Sequence, residues 1–386
     1  MAFAELFAIS GLAIAQPMLD VLAKNAELFV LRRTSLTQTI VLTACALFAP
    51  PLAALGIEWF VGRISDRARR WAHVVLCGTF GGLMVLEVAH RTTSLTTSRL
   101  YTLAALGSFI SGLMIWRVAL VRQFLRFLAF APIFFAGMFL FASPVTDIVV
   151  NAPRKTAALS PRTPHRVVVV VMDEFPEMSL LDGAGHIDRQ LYPSFASLAD
   201  TATWYRNSST VSGFTQEAVP AILTGRYPTG RRTLPIAREY PRNLFTMLAD
   251  RYDLNVNETI THLCPPSKCA LESGSVGRLL ADGARLWEQF ALPDRNAAVD
   301  GDVDHAGESV RTAKTFVRSL RPSTKPRLDF VHLIAPHFPW NHLGTLQSYD
   351  VPGEPVGEKE FVMPPGPGPR SSQQRHLLQV QAADTM

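Results

Sequence analysis

Three short motifs and one cysteine pair hold the residues of this 386-residue chain that could do chemistry. Asp173 and Glu174 close an apolar run, Val167 to Met172. Adjacent carboxylates at the end of a strand are hard oxygen donors that suit Ca²⁺, Mg²⁺ or Mn²⁺ and also serve Zn²⁺, so the pair is a candidate metal site. An Asp that merely caps the next helix is the alternative. Thr215 opens Thr-Gln-Glu-Ala-Val-Pro-Ala-Ile-Leu-Thr-Gly-Arg226, followed by Pro228. That pattern predicts a short helix with Gly225 as its C-terminal stop. Thr215 is then either a nucleophile at the helix start or an N-cap. His337, within Ala335-Pro-His-Phe-Pro-Trp340, is a candidate proton donor or a turn residue in a proline-flanked loop. Cys264 and Cys269 bracket Pro-Pro-Ser-Lys and can close as a disulfide in an oxidising compartment. A zinc finger would need a second pair at matching spacing, which is missing.

These residues need a scaffold, and two apolar runs indicate which one. Arg166 to Met172 and Leu328 to Ile334 are rich in β-branched residues and bounded by polar ones, the pattern of strands buried on both faces of a parallel sheet. Helical patterns lie between them at Pro193 to Ala199, Asn243 to Ala249 and Ser309 to Leu320. Strands alternating with helices predict a doubly wound α/β domain. Ligands of such sheets gather at the carboxyl ends of the strands, where Asp173 and His337 both fall.

The first third of the chain is a different material. Overall, 48% of residues are hydrophobic and only 18% charged, and the apolar ones concentrate before about position 150. A membrane-spanning helix takes about 20 apolar residues, and five stretches qualify, near 4–23, 38–58, 71–89, 100–120 and 124–143. The first is interrupted by Pro17 and Asp20 and lacks the basic start of a signal peptide. Asp20, Glu58 and Glu87 fall near helix ends, from where they reach the interface, so a transport role is the lesser reading. Arg63, Arg67, Arg69, Arg70, Arg117, Arg122 and Arg126 bias alternate loops toward the cytoplasm, which points the segment after Ser143 outward. The net charge of +5 is spread along the chain without a basic block, which argues against a nucleic-acid partner.

Taken together, the motifs resemble the sulfatase branch of the alkaline phosphatase superfamily. Thr215 stands nine residues before the Thr of Leu223-Thr-Gly-Arg226, the spacing of the sulfatase signature. Tyr192-Pro-Ser-Phe-Ala-Ser-Leu-Ala199, Ala202-Thr-Trp-Tyr-Arg-Asn207 and Pro336-His337-Phe-Pro339 follow the family's order over residues 164–345. Where sulfatases carry a Cys that becomes formylglycine, with Arg four residues on, this chain has Thr215 and Val219. In that it is similar to membrane phosphoethanolamine transferases and lipoteichoic acid synthases, which shifts the implied chemistry toward phosphate.

The resemblance implies Thr215 as nucleophile, His337 beside the substrate, Arg226 structural or near the substrate, and a divalent ion (Ca, Mn, Mg or Zn) on Asp173 and Glu174. It also implies an anionic ester substrate, such as a lipid or an envelope glycan, with the bilayer as the other partner. The family's later Asp-His-Gly strand is not found. Asp304-His305 precedes the His337 strand in a polar segment and is set aside.

The expected architecture is an N-terminal α-helical membrane bundle (1–145), a linker (146–164), an incomplete alkaline phosphatase/sulfatase-like α/β domain with a mixed sheet (165–350), and a Pro/Gly-rich loop with a terminal helix (351–386). The helix at Ser371 to Met386 resembles the one preceding the missing strand, as if the chain stops mid-domain. The alternative function is a catalytically silent membrane protein that keeps the fold without the metal; a polytopic transporter ranks third.

Overall fold

In a computed structural model, residues 2–149, 159, 163–229, 233–269, 274–293, 305–349 and 369–386 are described. Most of the expected linker, the Pro/Gly-rich loop and Asp304 lie outside them. The chain forms two compact units, 1–151 with 272–299 and 152–271 with 300–386.

Five helices in the first unit are long and apolar enough to cross a membrane: α1 Ala2–Lys24, α2 Leu36–Gly62, α3 Asp66–Thr92, α4 Thr97–Arg117 and α5 Ala119–Ala142. Ser35 starts α2 with a reciprocal capping box to Gln38, and Ser65 caps α3 through the Ala68 amide. The tightest pairing is α3 on α4, and small residues permit it. A Cβ on Gly82 would collide with the Ser108 side chain and the Ala104 carbonyl. Close backbone approach of this kind is how helices associate where no hydrophobic effect separates side chain from solvent. The outward faces agree with a lipid surrounding, since Phe60, Phe109, Phe127, Phe130, Phe134 and Phe141 are each at least 65% exposed.

The bundle differs from the expectation in two places. Glu58 and Glu87, expected near helix ends where solvent is within reach, are both buried within the unit, and His73 of α3 meets Glu58. Residues 272–299 also belong to this unit, although the expected α/β domain enclosed them. Their helix, α9 Val276–Ala291, buries Leu279 and Gly283. Gly283 faces Met18, Leu22 and Leu42, Asp282 accepts from Arg32 Nε at 2.7 Å, and Arg91 stacks on Phe290 at 3.8 Å.

The second unit is built on a three-stranded parallel sheet, β1 Val167–Met172, β2 Asp253–Asn257 and β3 Arg327–Leu333, in the order β1-β3-β2. The described sheet is therefore wholly parallel instead of mixed. Its helices are α6 Pro193–Thr201, α7 Thr215–Thr224, α8 Leu244–Leu248, α10 His305–Ser319 and α11 Pro369–Thr385. Central β3 separates two cores by its alternation. Leu328 and Phe330 face Val219 and Leu223 of α7, Phe245 and Leu248 of α8, and the Cys264–Cys269 disulfide. Phe245 and Phe330 meet edge to face with centroids 5.1 Å apart. Val331 and Leu333 face Ala313 and Phe316 of α10. Asp329 on that second face is fully buried, and Arg166, Arg327 and Asn255 surround it. A buried carboxylate is tolerated when its oxygens are this well met.

Candidate active site

The register explains why the candidate residues meet. Val171 pairs with His332 and Met172 with Leu333, and the Asp173 amide continues the ladder to the Leu333 carbonyl at 3.0 Å. With a period of two, Asp173 projects from the same face as Val171 and His332. That face is the one α7 covers, so the start of α7 arrives above the carboxyl end of β1.

Helix α7 begins where its role requires. Phe214 is the N-cap and makes no side-chain cap, and its carbonyl accepts from the amides of Glu217 and Ala218. The Thr215 and Gln216 amides precede that first intrahelical bond, at the positive end of the helix. The Thr215 hydroxyl does not cap its own helix. It lies 3.0 Å from each Asp173 oxygen and donates to that carboxylate. The C-terminal end is set by Gly225 at φ +67°, a left-handed stop that glycine adopts without penalty. Arg226 follows it, exposed, and a ten-residue helix places it roughly 15 Å from Thr215. Arg226 thus sits past the opposite end of α7 from Thr215.

Glu174, the second carboxylate of the pair, engages His337 and its loop. Its backbone sits at φ +52°, a strained conformation for a non-glycine residue, and the side chain swings to the loop after β3. There Oε1 lies 3.3 Å from His337 Nε2, and Oε2 accepts from the Phe338 amide at 3.1 Å. His337 Nδ1 donates to the Phe338 carbonyl at 2.6 Å, which orients the ring with Nε2 toward Glu174. His337 therefore stands beside Asp173-Glu174, joined through the second carboxylate.

Two contributors escaped the sequence reading. Gln379 of α11 is fully buried, donates to the His337 and Pro339 carbonyls at 3.1 Å each, and accepts from the His342 amide at 3.1 Å. The terminal helix thus braces the His337 loop, and Asp384 on the same helix receives the amides of Ser194 and Phe195 at the start of α6. The second is His332. Its side chain is 0% exposed, neither ring nitrogen has a hydrogen-bond partner, and Nε2 lies 3.8 Å from Asp173 Oδ2. Burial pushes the ring's pKa down; Asp173 pulls it up and His337 lowers it further. A histidine in phase with Leu328 and Phe330 on the apolar face of β3, and with the carboxylate that ends the neighbouring strand, is the signal the sequence offers.

The donors bear on the implied divalent ion. Asp173, the Thr215 hydroxyl and an orphaned buried imidazole converge, and oxygen and nitrogen donors of these kinds suit such an ion. Among the described residues no three His, Cys, Asp or Glu side chains form a ready-made cluster. No family model, curated protein or solved structure matches this chain.

Proposed function

We propose that the chain is a membrane-bound hydrolase or transferase of phosphate or sulfate esters, with phosphate the favoured group, acting through Thr215. The observation that carries this reading is the Thr215 hydroxyl held at 3.0 Å on both oxygens of Asp173, at the start of a helix and the carboxyl end of a sheet.

A threonine hydroxyl is a poor nucleophile at neutral pH and needs activation. Asp173 fixes its direction and takes its proton as the oxygen attacks. The Thr215 and Gln216 amides lie where charge on the transferred group would be met. His337, oriented by the Phe338 carbonyl and Glu174, delivers the proton that the leaving oxygen needs. Asp173 and Thr215 are the residues that would hold a divalent ion, and Glu174 would have to leave His337 to join them. Such an ion, when bound, acidifies the hydroxyl and neutralises charge on the transferred group. The balance is a Thr215 Oγ1–phosphorus bond formed, the ester bond broken, and the alcohol released with one proton; water or an acceptor alcohol then resolves the Thr ester. The Arg bias and the Cys264–Cys269 disulfide both support an outward site, where envelope lipids or glycans would be its esters.

The test is to incubate the full chain in detergent micelles with an aryl phosphoester and, in parallel, an aryl sulfate. The expected result is a phosphoryl adduct on Thr215 by peptide mass spectrometry, absent in Thr215→Ala, with turnover lost in that variant. Turnover that survives Thr215→Ala unchanged would sink the reading. A catalytically silent membrane protein is the second reading, and the engagement of Glu174 with His337 favours it; it predicts neither adduct nor turnover.

A further inference from the structure

His332 is fully enclosed at the site, and among the described residues neither ring nitrogen has a hydrogen-bond partner. Its neighbours on the same face of β3 are Leu328 and Phe330, both fully buried in the core. An imidazole in that row costs more than a leucine would unless a ligand meets it, because a buried donor or acceptor without a partner forfeits its hydration. Both ring nitrogens are in that position. The nearest charged group is the Asp173 carboxylate, 3.8 Å from Nε2, too far for a hydrogen bond. It is close to the spacing of two donors on one ion: bonds of about 2.1 Å at tetrahedral angles hold oxygen and nitrogen about 3.4 Å apart. The third corner is the Thr215 hydroxyl, already 3.0 Å from the same Asp173 oxygen.

We propose that His332 is a metal-binding residue, its Nε2 supplying the nitrogen donor of a divalent-cation site whose oxygen donors are Asp173 and Thr215. The inference rests on the reading of Asp173 and Thr215 given above and adds to it a ligand and a preference among ions. An imidazole beside hard oxygen donors favours Zn²⁺ over Ca²⁺ or Mg²⁺, which a carboxylate and a hydroxyl alone would not do. It also assigns Glu174 elsewhere, to His337, so the site needs no movement of the strained backbone at that residue.

The experiment uses the full chain in detergent micelles, stripped with chelator and titrated separately with Zn²⁺, Mn²⁺ and Ca²⁺ by calorimetry. Wild type is expected to bind one Zn²⁺ more tightly than Ca²⁺, and Asp173→Asn to abolish binding. His332→Gln is expected to weaken Zn²⁺ by at least about tenfold, the floor for loss of even an outer-sphere partner, and to leave Ca²⁺ nearly unchanged. A structural role for His332 would not move that ratio. A second measurement needs no variant: pulsed EPR of the Mn²⁺-loaded wild type should show nitrogen coupling from a coordinated ring. Equal Zn²⁺ binding by wild type and His332→Gln, or no nitrogen coupling, overturns the role of His332 and leaves the oxygen site standing. Absence of any Asp173-dependent ion in wild type overturns both.

Discussion

His73 of the bundle and His332 of the sheet domain each sit beside carboxylates, and their surroundings are opposite. In the bundle His73 of α3 has both ring nitrogens engaged, Nδ1 with Glu58 of α2 at 2.7 Å and Nε2 with Glu5 of α1 at 3.0 Å. Glu5 in turn accepts from Arg126 Nε of α5 at 2.7 Å, so four helices are tied at one knot. In the sheet domain His332 is more deeply buried, and among the described residues neither ring nitrogen has a hydrogen-bond partner. A polar network whose members satisfy one another specifies packing; a buried polar group left over specifies something that is not protein. The comparison assigns His73 to structure and His332 to a ligand, and it can be broken at either end.

The largest effect is expected at the knot. His73→Ala removes one hydrogen bond from each of the buried Glu58 and Glu5 carboxyl groups, and bonds to such groups are worth about 1.5–3 kcal/mol each, so the loss should be about 3–5 kcal/mol. Unfolding in micelles, by heat or by denaturing detergent, should show that loss. A change below about 1 kcal/mol, typical of a solvent-exposed pair, would mean that the network is not structural. Gln379 tests the equivalent device in the other unit. Gln379→Leu strips partners from the His337 and Pro339 carbonyls and the His342 amide. At roughly 1 kcal/mol for each of the three hydrogen bonds lost, the domain should lose about 3 kcal/mol, and the His337 loop should exchange its amides faster. Unaltered exchange would show that α11 does not brace that loop. Next comes the disulfide: a bridge closing so short a loop is worth about 2 kcal/mol, so the double Ser variant of Cys264 and Cys269 should melt several degrees lower. No shift would mean that the Phe330 core holds without it.

How much of this was legible in the sequence differs along the same line. β1, β3, α7 and the five long helices announce themselves through periodicity, length and the glycine stop at Gly225, because each is fixed by local pattern. β2 does not, since Asp253-Leu-Asn-Val-Asn257 offers only two apolar residues and owes its place to β3. Helix α9 looks from sequence like part of the α/β domain, yet its apolar stripe fits Met18, Leu22 and Leu42. Thr215 and Asp173 could be paired by motif order, whereas the turning of Glu174 toward His337 depends on one residue's φ and on the Phe338 amide. Arg226 falls just past the glycine stop of α7, as the spacing predicts, which leaves its two readings, structural or near the substrate, both open. His332 does not stand out in the sequence because β3 also carries Arg327 and Asp329, and only register puts His332, on the opposite face from those two, beside Asp173.

The smallest expected effect is the most discriminating. His332→Leu replaces an imidazole that bonds to nothing with a side chain that suits its neighbours Leu328 and Phe330. In metal-free protein the change should be neutral or stabilising by about 1 kcal/mol, because no partner is orphaned and a desolvated polar group is removed. In the presence of Zn²⁺ the order should reverse. An ion that binds only the folded wild type at 100 times its dissociation constant adds about 2.7 kcal/mol, which the variant would largely forgo. Thermal melting with and without Zn²⁺ reads both halves of the cycle. If His332→Leu is destabilised by more than about 2 kcal/mol in chelator, the ring has a structural partner after all. The two histidines would then belong to one class, and the contrast between the units would fail at its sheet-domain end.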